Sequence, residues 1–348
     1  MIPAGLSSER YSMPLLRHVL SIMSVVILLC ANNSAGAEEA SNAKSCKLNK
    51  IGSLSVIMRD KPLVSASING QNVLFQVDTG MSLTFLFTAA ARALQLQPHD
   101  FAEFSSIHMY TVDGTTKGRV AEVADFRLQD WKVGEKRFLI SGPDSASFSD
   151  NIAGVLGEDF FHNMDVEFDL AHNVINLYQA LNCEGSSLGF WADNFAEADF
   201  TPGTDPNNYR VAPKVEINGK PINAILASGM VQSFLTSSAA EVAGVTSETP
   251  GVIDGDLIGW QKPYKFPSWI GKFDSFRLGE ETIRHVSLPF CEAYSATVAE
   301  RPFGNNRPVR MVLGLDFFRS HHLLISHSQN KLYFTYNGGA VFSRPKDS

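Results

Sequence analysis

Short runs of β-branched and aromatic residues, each closed by a turn pair, recur along this chain. Ile68-Asn69-Gly70-Gln71, Val112-Asp113-Gly114-Thr115 and Val215-Glu216-Ile217-Asn218-Gly219 are examples. Asn-Gly and Asp-Gly supply the positive φ that tight hairpins need, so the pattern predicts strands joined by short turns. Only short helices are expected. One has Thr88 capping Ala89 to Leu94; the other runs from Ser237-Ser238 into Ala239 to Ala243, with Gly244 as its stop. Gly185 to Tyr209, rich in Gly, Asp, Asn and Pro and without periodicity, reads as a linker.

The strand pattern is duplicated. Ile68-Asn69-Gly70-Gln71 aligns without a gap to Ile217-Asn218-Gly219-Lys220, and Asp78-Thr79-Gly80-Met81 to Ala227-Ser228-Gly229-Met230. Further on, Val155-Leu156-Gly157-Glu158-Asp159-Phe160-Phe161 aligns to Val312-Leu313-Gly314-Leu315-Asp316-Phe317-Phe318. Two blocks recurring in one order mean two units of the same design rather than a solenoid of many short ones. The expected boundaries are a signal peptide over 1–37, a first lobe over 38–184, a linker over 185–210 and a second lobe over 211–348.

The first of those segments follows from composition. Arg10, Arg17 and His18 precede the apolar stretch from Val19 to Cys30, and Ala35-Gly36-Ala37 is a small-x-small site for cleavage before Glu38. The stretch falls short of the ~20 residues of a membrane span, so export without a stable anchor is expected, to the periplasm or the medium. A formal charge of −7 with no Lys/Arg run excludes nucleic acid as a partner. Of four cysteines, Cys30 would leave with the signal. Cys46 and Cys183 flank the first unit and could close it as a disulfide, and Cys291 is the odd thiol, expected to be buried. No CxxC pair or His-rich cluster points to a metal site, and no cofactor is expected.

The apolar strand Val73 to Val77 ending in Asp78-Thr79-Gly80, the later Val155-Leu156-Gly157, and the duplication of both together resemble the aspartic peptidase superfamily. The resemblance is to exported bacterial proteins with two retropepsin-like units in tandem. It covers nearly the whole mature chain and implies an all-β fold, a two-lobed acid protease (pepsin/retropepsin-like) of two β-barrels. In that family the glycine permits the sharp turn that presents the aspartate, and the hydroxyl reaches across to the opposite turn. Two aspartates then share one proton, because like charges ~3 Å apart do not both ionise.

Carried over residue by residue, the resemblance makes Asp78 the catalytic aspartate, supported by Thr79, Gly80, Ser228 and Gly229. Ala227 stands where the second aspartate should be, so that site is degenerate. Asp254 and Asp256 are the candidate substitute acids. Met109 to Thr115 occupies the place of the family's flap, with Tyr110 and Gly114 as flap candidates and Tyr110 the one to line the cleft. Ile253 to Leu257 is its counterpart in the second unit. His321-His322 reads as a surface or strand-end pair, and Glu158, Asp159 and Asp316 as caps or solvated ends of short helices. Trp260 and Trp269 read as core and cleft wall. The implied activity is hydrolysis of a peptide or unfolded protein by Asp78 and an activated water, in a monomer whose tethered second lobe fills the partner position. The alternative is a catalytically inactive pseudoprotease that binds peptide or protein in the same cleft.

Overall fold

The computed structural model describes residues 45–100, 108–111, 114–117, 119–142, 148, 150–202, 209–259, 265–292 and 309–342. The expected signal peptide, Asp113 and Trp260 lie outside them. The first lobe runs β1 (Lys47–Met58), β2 (Pro62–Ile68), β3 (Gln71–Val77), β4 (Phe85–Phe87), α1 (Thr88–Ala93), β5 (His99–Asp100), β6 (His108–Thr111), β7 (Gly114–Lys117), β8 (Arg119–Leu128), β9 (Trp131–Ser141), β10 (Ile152–Leu156), α2 (Glu158–Phe161), β11 (Asp165–Asp169) and β12 (Val174–Leu181). The second repeats this order: β13 (Ala196–Thr201), β14 (Ala212–Ile217), β15 (Lys220–Leu226), β16 (Phe234–Thr236), α3 (Ser237–Val242), β17 (Ile253–Asp254), β18 (Ile258–Gly259), β19 (Lys265–Phe266), β20 (Ser268–Leu278), β21 (Glu281–Cys291), β22 (Met311–Leu313), α4 (Leu315–Ser320), β23 (His321–Ser326) and β24 (Lys331–Tyr336).

Each lobe closes six strands into a barrel. In the first, β2, β3, β10, β4, β9 and β8 pair in that cyclic order, with β3–β10 and β4–β9 parallel. In the second, β14, β15, β22, β16, β21 and β20 do the same. Closure leaves no exposed edge within the barrel and turns alternate side chains inward. Phe75, Phe126 and Phe138, all without exposed surface, meet there at 5.0 to 5.8 Å between ring centroids. Full burial of each contributes about 2–3 kcal/mol.

A third layer joins the lobes. β1, β12, β11, β23, β24 and β13 form one six-stranded sheet, three strands from each lobe, with Val166 opposite Ile325 at the seam. Carboxylates of β11 bind the second lobe along it. Asp165 accepts from the Ser328 N–H at 2.9 Å and hydroxyl at 2.7 Å, and Glu167 lies 2.7 Å from His322 Nε2. Burial pushes the Glu167 carboxyl up, but hydrogen bonds from His322, Asn176 and Tyr178 outweigh it and hold the group below its ordinary range.

Several sequence expectations change here. The segment 185–210 is not only a linker. It contains β13, the counterpart of the β12-paired part of β1, so the second unit begins before residue 211. Its inward residues Ala198 and Phe200 are buried, but six residues of alternation do not stand out in a Gly/Asp/Asn-rich stretch. Thr88 is the first residue of α1 rather than its cap, its hydroxyl donating to the Gly142 carbonyl at 2.8 Å. In α3 the cap is Thr236, which accepts from the Ala239 N–H at 3.2 Å. His321 is no surface residue: it is fully buried and stacked on Phe317 with Glu281 3.1 Å from Nε2. His322 stacks on Trp191, and Trp269 stacks on Phe290. Cys46 and Cys183 form the disulfide, 137 residues apart, and Cys291 is buried outside it.

Candidate active site

β3 and β15 enter from opposite lobes and end in equivalent turns. The Asp78 N–H donates to the Leu156 carbonyl at 3.1 Å, and the Ala227 N–H to Leu313 at 2.9 Å. Each turn then closes from its fourth residue, Met81 to Asp78 and Met230 to Ala227, at 3.1 and 3.0 Å. The second turn therefore keeps the geometry of the first and lacks only the carboxylate.

The two turns grip each other. The Thr79 N–H donates to Ser228 Oγ and the Ser228 N–H to Thr79 Oγ1, both at 3.2 Å. The Ser228 hydroxyl then donates to the Val77 carbonyl at 2.9 Å. All three residues are buried. The approach is so close that a Cβ on Gly80 would lie 2.6 Å from Ala227 Cβ, and one on Gly229 2.2 Å from Asp78 Oδ2.

Asp78 is 3% exposed. Its Oδ1 accepts from the Gly80 N–H at 2.9 Å and the Gly229 N–H at 3.2 Å, one donor from each lobe. Its Oδ2 lies 3.3 Å from the side-chain nitrogen of Gln76. Burial raises its pKa above the ordinary aspartate value, the two backbone donors and the Lys61 charge pull it back, and Glu158 adds to the rise. Ala227 is itself 2% exposed, packed among Ile225, Met230, Phe234, Cys291 and Val312.

The second motif clamps each turn from behind. Thr84 donates its N–H and hydroxyl to Asp159 Oδ1 at 2.7 and 2.6 Å and accepts from the Gly157 N–H at 3.0 Å. Ser233, Asp316 and Gly314 repeat this arrangement at 2.9, 2.6 and 2.9 Å. Asp159 and Asp316 are thus braces of the active turns rather than solvated helix ends. Glu158 is no solvated end either. It is fully buried, with His327 Nε2 2.7 Å from its Oε1.

The expected substitutes, Asp254 and Asp256, are exposed, and the charged groups that act most on Asp78 are Lys61 and Glu158 instead. The expected flap is a real hairpin: β6 and β7 pair as a separate two-stranded sheet with Tyr110 opposite Thr115 and Thr111 opposite Gly114. The Tyr110 side chain lies outside the described residues. In the second lobe the equivalent hairpin is β18–β19, not 253–257, because Ile253 and Asp254 are taken up by pairing with β20. Sequence reasoning passed over Gln76 and Lys61 and read Glu158 as a helix end. Gln76 carried a signal: it is the polar residue in an apolar run, two positions before Asp78 and so on the same face of β3.

Residues 64–160, which hold this turn and its brace, match the family described as "Aspartyl protease". That match supports a place in the aspartic peptidase superfamily for the segment that carries Asp78. The chain is also similar to DNA damage-inducible protein 1 of Kluyveromyces lactis, 30% identical over 134 residues, which is 38% of this chain and 28% of that protein's length. The chain thus spans little more than a quarter of that relative. Among solved structures, the aspartic proteinase from Irpex lacteus aligns over 82% of this chain and 97% of its own, at 11% identity and a TM-score of 0.47.

Proposed function

We propose that this protein is an exported aspartic-type endopeptidase-like protein that hydrolyses peptide bonds in the inter-lobe cleft with Asp78 and an activated water. The observation that carries this reading is the intact grip around a buried Asp78 whose carboxyl takes backbone donors from both lobes. Ionised Asp78 accepts a proton from water as the oxygen attacks the peptide carbonyl carbon. It returns that proton to the amine as the C–N bond breaks. Its raised pKa makes it a stronger base than a surface aspartate. Without a second carboxyl no acid polarises the carbonyl, and losing one member of such a unit costs several orders of magnitude in rate. The substrate is an extended peptide or unfolded protein, held by strand-like pairing beneath the β6–β7 hairpin. The disulfide between Cys46 and Cys183 is compatible with an oxidising compartment, periplasm or medium.

A second reading, a pseudoprotease that binds peptide without turnover, is favoured by one observation: Ala227, where the second carboxyl would stand, is buried in an apolar cluster. Incubating the mature protein and Asp78→Ala with a diverse unfolded-peptide mixture from acid to neutral pH separates the two. Cleavage lost in Asp78→Ala supports hydrolysis; binding without cleavage supports the pseudoprotease.

A further inference from the structure

We propose that Gln76 is a positioning residue for Asp78, its side-chain amide standing as a neutral donor where a two-aspartate site has a shared proton. Gln76 lies in β3 and Asp78 just beyond its end, two residues on, and their side chains meet. Gln76 Nε2 lies 3.3 Å from Asp78 Oδ2, the oxygen that neither backbone donor reaches. Both groups sit against the same glycine of the opposite lobe: a Cβ on Gly229 would lie 2.2 Å from Asp78 Oδ2 and 2.3 Å from Gln76 Nε2. Gln76 is 8% exposed at the end of an apolar strand, a costly place for an amide without a partner. At the equivalent position of the second lobe the residue is Ile225, packed in the cluster around Ala227. The amide and the acid thus occupy one lobe, and apolar groups fill both places in the other.

The consequence is an altered protonation scheme. A carboxylic acid in this place would exchange its proton with Asp78, whereas an amide keeps its own and always donates. The donor at Oδ2 therefore favours the ionised form of Asp78 against the burial that raises its pKa, and the site titrates as one carboxyl instead of a coupled pair. The other charged groups that act on Asp78 are Lys61, from the β1–β2 turn, and Glu158, from α2. The second lobe's turn, Ala227 to Met230, brings no ionisable side chain. The catalytic consequence rests on Asp78 being the working acid; the hydrogen bond and its effect on ionisation do not.

The test follows the ionisation of Asp78 by carboxyl carbon NMR in the mature protein, with Asp78→Asn identifying the resonance. Gln76→Met keeps the length and removes the donor. The Asp78 midpoint is expected to rise by about 1 pH unit, the size of one charge-assisted hydrogen bond. Gln76→Glu is isosteric and puts a second carboxyl beside the first. It is expected to raise the midpoint further and to split the titration into two coupled steps. The same proteins assayed on peptides are expected to show the acid limb of the pH–rate profile moving with the NMR midpoint. Midpoints unchanged in both folded variants would overturn the role of Gln76. Should Gln76→Met fail to fold, the Gln76 side-chain amide resonance of the wild type decides: it is expected to shift with the Asp78 midpoint, and an amide resonance that ignores that titration would overturn the role of Gln76. Absence of cleavage in every protein would count against hydrolysis, while the titration still decides for or against Gln76.

Discussion

Replacing Ser228 by alanine removes the hydroxyl on which the inter-lobe grip turns. That oxygen accepts from the Thr79 N–H at 3.2 Å and donates to the Val77 carbonyl at 2.9 Å, in a place with no exposed surface. Two hydrogen bonds at a net ~1 kcal/mol each are lost, and the buried Thr79 N–H is left without its partner. The total expected is about 2–4 kcal/mol. With an unfolding entropy of about 2 cal/mol/K per residue over roughly 300 residues, the thermal midpoint should fall by about 3–6 °C. Thermal unfolding followed by circular dichroism measures this directly. Ser228→Thr keeps the hydroxyl and should recover most of the loss. A midpoint within 1 °C of wild type for Ser228→Ala would refute the claim that the grip is an energetic link between the lobes.

Three further outcomes follow from the same geometry. Glu167 titrates in the folded chain below its ordinary 4.5, so its contribution is present above that value and is lost as pH falls through the folded pKa. Urea titrations of Glu167→Gln should therefore show a shallower acid loss of stability than wild type. Asp316 has the opposite sign. Burial pushes it up to about 7 from 3.8, so its contribution is full below pH ~4 and is lost as pH rises to ~7; Asp316→Asn should flatten that slope in the same titration. Reducing the Cys46–Cys183 disulfide, which closes a separation of 137 residues, should lower stability by about 2–5 kcal/mol, read as a fall in the denaturant midpoint.

The duplication and the Asp78/Ala227 asymmetry were legible in the chain because a turn motif and its brace depend on local residue types. Asp78-Thr79-Gly80 and Ala227-Ser228-Gly229, and Val155-Leu156-Gly157 and Val312-Leu313-Gly314, stand at matching places in the two units. Pairings between distant strands leave weaker traces. β13 was hidden in a stretch of turn-forming residues, since two buried positions, Ala198 and Phe200, are too few to set a period. Glu158 looked like a solvated helix end because nothing local shows that His327, from the other lobe, closes over it. The same holds for His321, whose burial depends on Phe317, Phe334 and Glu281 meeting around it. Gln76 was visible but easily passed over. An amide in an apolar strand gains meaning only once the opposite turn is seen to seat it against Asp78.

The central claim is that a working scaffold survives around a single acid. The most direct measurement compares cleavage of one diverse peptide mixture, read by mass spectrometry, for wild type, Asp78→Ala and Ala227→Asp. The account predicts slow cleavage by wild type, none by Asp78→Ala, and a rate raised by a factor of about 10² or more when Ala227→Asp restores the pair. Equal cleavage by wild type and Asp78→Ala would contradict it, because the chemistry would then lie elsewhere than in the gripped turn.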